Sequence, residues 1–139
     1  MDGAGPTGSI NDPGLLTVAK NDLITAYDGL AAGANADANC LDGLGGTAIL
    51  ADNTDLRTLG STPGTLGPGV YCSAGNFLLT DGAGTDLTLS GSGPWVFRAV
   101  SGIIVSNGAS VVTAGNVCDV WWRAGSSATI GTTVSFVGN

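Results

Sequence analysis

Residues 95–116, WVFRAVSGIIVSNGASVVTAGN, decide how the chain is read. They hold three short apolar runs separated by Gly, Ser and Asn, the mark of short strands joined by tight turns. The flanking segments repeat the arrangement. Residues 69–93, GVYCSAGNFLLTDGAGTDLTLSGSG, and 119–139, DVWWRAGSSATIGTTVSFVGN, align with it as successive copies. Val70, Val96 and Val120 fall in register, followed by Tyr71, Phe97 and Trp121. Phe77–Leu79, Ile103–Val105 and Ala128–Ile130 form a second column, and Leu87–Leu89, Val111–Thr113 and Val134–Phe136 a third. Three strands per period of roughly 23–26 residues predict a parallel β-solenoid (β-helix) of triangular cross-section, each coil stacking its apolar side chains on the next.

The three faces differ. On the second and third, apolar and polar positions alternate, so one side of each strand faces solvent. The first face, with WVFRAV and DVWWRA, is apolar on both sides and needs an outer cover. That cover is expected from residues 11–33, NDPGLLTVAKNDLITAYDGLAAG. Asn11 or Asp12 can cap a helix, and Pro13 suits its first position. Leu16, Ala19, Leu23, Tyr27 and Leu30 recur at helical steps, and Gly33 ends the run. Asp22 and Asp28 lie off this apolar stripe. The expected organisation is a single domain of residues 1–139, with one long helix over about 13–32, an irregular loop over 34–68 rich in Gly, Pro, Asn and Asp, and coils over 69–139. Trp95, Trp121 and Trp122 are expected to serve packing, because aromatics bury so much area.

Composition excludes several functions. The net charge is −7, only 11% of residues are charged, and Lys20, Arg57, Arg98 and Arg123 are the only basic ones. That balance argues against phosphate-backbone binding, so no nucleic-acid partner is expected. No apolar run is long enough to span a membrane. Residues 1–10, MDGAGPTGSI, have neither a basic n-region nor an apolar h-region, so a signal peptide is not expected within this chain. Absent histidine rules out Ser-His-Asp and Cys-His machinery. The acidic residues are all aspartate, 11 of them, and most fall in turn contexts such as Asp42 and Asp81. Asp86 and Asp119, in different columns, do not make a glycosidase pair. Cys40, Cys72 and Cys118 show no metal-ligand spacing, so neither metal nor cofactor is expected. One disulfide with a third thiol left over suits an exported protein, and the spacing does not choose the pair; three buried thiols packing as small hydrophobes are the alternative.

Four stretches in order, DLITAYDGLA (22–31), TLGPGVYC (65–72), VFRAVSGIIVSNGASVV (96–112) and NVCDVWWRAGSSATIGTTVSFVGN (116–139), resemble the microbial family of ice-binding proteins. The resemblance spans about residues 8–139, and the VWW…GSSATIGT…F.GN stretch is its specific part. It implies a right-handed, discontinuous, three-faced solenoid with one helix alongside, and a non-enzymatic, extracellular or cell-surface protein whose partner is ice. By this resemblance, the strand-rich segment before the helix and the further coil after F.GN that family domains carry are expected to be missing from residues 1–139. Ice-binding members work through a flat face of Thr, Ser, Ala and Gly. Here the outward positions of the second face are Leu78 and Thr80, Ile104 and Ser106, Thr129 and Gly131. Those of the third are Asp86, Thr88 and Ser90, Ser110, Val112 and Ala114, Thr133, Ser135 and Val137. Thr80, Ser106, Thr129, Thr88, Ser90, Ser110, Thr133 and Ser135 are therefore the candidate ice-facing residues. The alternative is a structural or adhesive protein that assembles with copies of itself into a homo-oligomer or filament. Its open coil end, with Val134, Phe136 and Val137, would then be the assembly edge.

Overall fold

The computed structural model describes residues 40–80 and 86–139, together with Gly14, Thr17, Val18, Lys20, Asn21 and Asp22. The chain divides into two compact units, residues 1–30 and 31–139. In the first, all six described residues are helical and exposed. The remainder of the helix expected over 13–32, and its packing on the first face, lie outside the described residues.

Among its described residues the second unit is a parallel three-sided solenoid of ten short strands. These are β1 (Thr54–Asp55), β2 (Thr65–Leu66), β3 (Gly69–Ser73), β4 (Phe77–Leu79), β5 (Leu87–Leu89), β6 (Trp95–Ala99), β7 (Gly102–Val105), β8 (Val111–Thr113), β9 (Val120–Ala124) and β10 (Ser127–Ile130). Each circuit adds one strand to every side. The first sheet is β3-β6-β9, the second β1-β4-β7-β10 and the third β2-β5-β8. The sequence places a loop over 34–68, but the first circuit starts inside it. Cys40 bridges Val70, Leu50 bridges Ser73, and β1 and β2 open the second and third sheets. Two-residue strands carry too little alternation to be read locally; the stacked coil above supplies their register.

Inward positions fill the core. Phe77, Leu79, Leu87, Leu89, Trp95, Phe97, Val111 and Val120 are all fully buried. Tyr71, Phe97 and Trp122 stack through successive circuits, with ring centroids 5.4 and 4.2 Å apart, and Phe136 meets Trp122 at 4.7 Å with its ring tilted by 37°. Polar tips are satisfied inside the coil: Trp95 Nε1 donates to the Leu66 carbonyl at 3.2 Å and the Tyr71 hydroxyl to the Gly67 carbonyl at 2.9 Å. Tight approach of coils demands glycine at Gly125, where a Cβ would overlap the Val100 carbonyl. Gly60 turns the chain between β1 and β2 at φ 93°, a conformation that suits glycine.

Two registers differ from the sequence alignment. Val120 pairs with Trp95, Trp121 with Val96 and Trp122 with Phe97, one residue from the valine alignment. A 3-10 turn at Val117–Asp119, capped by the Asn116 side chain, takes up the extra residue before β9. A one-residue slip reverses every side chain. Trp122, not Trp121, therefore stacks on Phe97, while Trp121 is 41% exposed and does not join the core. In the third column Ser135 pairs with Ser110, which sets Phe136 rather than Val134 beside Val111. That offset is two residues, so the inward parity of Val134 and Phe136 is kept.

Cys40 and Cys72 form a disulfide with Cα atoms 5.5 Å apart, and both are buried. It ties the first circuit to the second. By the chain-entropy argument, closing a loop with sequence separation 32 contributes about 3–4 kcal/mol. Cys118 is an exposed free thiol.

Candidate functional site

The second sheet stacks the most strands, four, among the described residues. Register places Asp55, Leu78, Ile104 and Thr129 in one outward row across all four strands. The next row holds Thr80, Ser106 and Gly131, kept in the ladder by Ser106 N–H to the Leu79 carbonyl and Gly131 N–H to the Val105 carbonyl, both 2.8 Å. The row on the opposite border holds Asn53, Asn76, Gly102 and Ser127. Rungs in such a ladder lie about 4.8 Å apart and alternate residues about 6.7 Å apart along a strand, so the side chains form a rectangular grid. On the rungs of β4, β7 and β10 none of these outward residues is charged.

The β1 end of this face is closed by an ion-pair network. Asp55 caps the 3-10 turn Leu56–Thr58 by accepting from the Arg57 N–H at 2.9 Å. The Arg57 guanidinium reaches the same carboxylate at 3.1 Å and also donates to the Thr80 hydroxyl. Thr80 in turn donates from its hydroxyl and its N–H to Asp55. Burial by itself would raise the Asp55 pKa. The hydrogen bonds from the Arg57 side chain, the Thr80 hydroxyl and the Arg57 N–H, with the Arg57 charge, outweigh burial and hold it below the ordinary carboxylate value. A carboxyl depressed in the folded state adds stability above its unfolded pKa of about 3.9, and that stability is lost as pH falls through the folded value. Asp55→Asn should therefore lower the melting temperature at neutral pH and flatten its decline below about pH 4, read by thermal unfolding across an acid series.

The sequence candidates divide between two faces. Thr80, Ser106 and Thr129 share the second sheet, where Thr129 is exposed and Thr80 is half-buried with its hydroxyl committed to Asp55 and Arg57. Thr88 lies on the third sheet between Thr65 and Val112, with Ser90, Ser110 and Ser135 on the same side. Thr133 is a correction: it sits in a turn at φ 55°, with its hydroxyl donating to the Thr132 carbonyl, and not on a strand. A threonine is forced into that left-handed turn by the coil corner, which periodicity cannot register. The third face is narrower, with three strands, and carries the exposed Asp86. Val134, Phe136 and Val137 are half-buried against the core. Among the described residues no helix is long and apolar enough to cross a membrane, and no acidic or thiol cluster is arranged to hold a metal.

Sequence reasoning passed over Leu78 and Ile104 as candidates because they are apolar, and over Asn76 because it reads as a turn residue. Their signal was present: each occupies the outward step of a column whose inward steps are apolar.

The chain matches the model of the ice-binding-like family over residues 3–139. It is 32% identical over 143 residues to an ice-binding protein of Flavobacterium frigoris (strain PS1), a match covering 100% of this chain and 45% of the relative. It is 36% identical over 93 residues to an ice-binding protein of Nostoc sp. (strain HG1), covering 66% of this chain and 35% of the relative. The chain thus spans less than half the length of either curated relative. No solved structure matches it. The coil repeat, the three parallel sheets and the match across nearly every residue lead to one conclusion: this chain belongs to the ice-binding-like family.

Proposed function

We propose that this protein binds ice, without catalysis, through the outward face of the second sheet. The observation that supports the reading is the uncharged grid on β4, β7 and β10, centred on Leu78, Ile104 and Thr129. A charged group holds its own hydration shell, which is incompatible with a lattice of ice-like water. Apolar groups in register hold water in cages instead, while flanking hydroxyls such as those of Ser106 and Thr129 accept or donate to it. A rigid sheet orders such water at little entropic cost, because the side chains are already spaced by the backbone. Adsorbed protein then pins the ice front, and the curvature forced between pinning points lowers the local freezing temperature. Both curated relatives are named ice-binding proteins, which favours the same reading. The buried Cys40–Cys72 disulfide favours an extracellular setting, since such bonds persist in oxidising compartments.

Nanolitre osmometry on purified protein tests the proposal. Faceted crystals with a gap between melting and growth temperatures are expected. Rounded crystals growing freely in a solution of folded protein would overturn it.

A further inference from the structure

Asn76 occupies the border row of the second sheet, one residue before β4. Its N–H donates to Asp52 Oδ1 at 2.6 Å, and its Nδ2 donates to Asp52 Oδ1 at 3.1 Å and Asn53 Oδ1 at 3.2 Å. On its other side, Asn76 Oδ1 accepts the N–H of Gly102, the first residue of β7, at 2.9 Å. Its carbonyl accepts from Asn53 N–H at 3.1 Å and from the hydroxyl of the fully buried Ser73 at 2.9 Å. One side chain therefore joins the entries of three successive rungs, β1, β4 and β7. Those are the rungs that carry Asp55, Leu78 and Ile104 outward. The corner on this side has no other side chain spanning three coils among the described residues. Asn53 itself holds φ 61°, a left-handed turn kept in place by these bonds.

We propose that Asn76 is a positioning residue for ice binding: by clipping three rung entries together it fixes the height and register of the outward grid. The role rests on the ice-binding reading above. It acts through Leu78 and Ile104, whose relative placement depends on where their strands begin. A grid that must meet a rigid lattice at several points loses contact when one rung shifts by a fraction of a side-chain diameter.

Three variants separate this role from general stability and from direct contact with ice. Asn76→Ala removes the clip. Asp52→Ala releases the clip from a corner residue outside the outward rows, leaving Asn76 in place. Leu89→Val weakens the core on the third side and serves as the stability control. Both clip variants should lose about threefold or more of the thermal hysteresis, measured well below their melting temperatures, and the Gly102 amide should exchange about tenfold faster. Leu89→Val should keep its hysteresis. Retention of parental hysteresis by Asn76→Ala would overturn the role. So would loss in Asn76→Ala alone, with Asp52→Ala fully active and Gly102 exchange unchanged, because that marks direct contact. A parent protein that leaves ice growth unaffected would sink the ice-binding reading and this role with it, whereas an active parent with an active Asn76→Ala sinks this role alone.

Discussion

Replacing Ile104 with lysine should reduce thermal hysteresis by about tenfold or more while leaving the fold intact. Ile104 sits at the centre of the outward grid, between Leu78 and Thr129, and is 38% exposed. Its side chain points away from the core, so the substitution changes stability by only about 1 kcal/mol. The lysine stem would stand above its neighbours, and its ammonium carries a tightly held hydration shell. Both effects lift the lattice from several rungs at once, which is why a central position outweighs a border one. Thr88→Lys places the same charge on the third sheet and should leave hysteresis near the parental value. Circular dichroism and osmometry on the two variants together decide the face. Full activity in Ile104→Lys with loss in Thr88→Lys would move the binding surface to the third sheet.

Phe97→Ala should be the most destabilising single change in the described solenoid. Phe97 is fully buried and touches Tyr71 and Trp122 face on, with Phe77 edge on at a centroid distance of 6.2 Å. Removing a buried phenyl costs about 3–5 kcal/mol, from lost transfer energy and from a cavity the stacked rungs cannot close. Domain stabilities of about 5–15 kcal/mol make that a large fraction of the whole. Trp121→Ala is the informative companion. In the valine-aligned register Trp121 would be the partner of Phe97, and its loss would rival that of Phe97. In the observed register it faces outward, and the cost should stay within about 1 kcal/mol. Urea unfolding of both variants checks the two values, and a large loss for Trp121→Ala would contradict the register.

Much of this molecule is legible from residue order alone. The repeat of apolar triplets separated by Gly, Ser and Asn is enough for a three-sided solenoid, because each inward side chain needs an apolar neighbour one coil away. The columns Phe77–Leu79, Ile103–Val105 and Ala128–Ile130 align directly in the sequence and keep that register in β4, β7 and β10. Composition likewise shows directly that this chain carries no histidine. Three matters were settled only by tertiary structure. Which tryptophan stacks on Phe97 depends on a 3-10 turn at Val117–Asp119 whose length no periodicity reveals. Partnership of Cys40 with Cys72 depends on the parallel bridge that sets Cys40 beside Val70 of β3, one circuit away. Which outward row is free of charge over three successive rungs depends on adding residues across β4, β7 and β10, from Leu78 to Thr129. The physical reason is common to all three. Inward burial is a local property repeated at every second residue, so sequence carries it openly. Surface regularity and corner geometry are sums over residues about 25 positions apart, and they exist only once the coils are stacked.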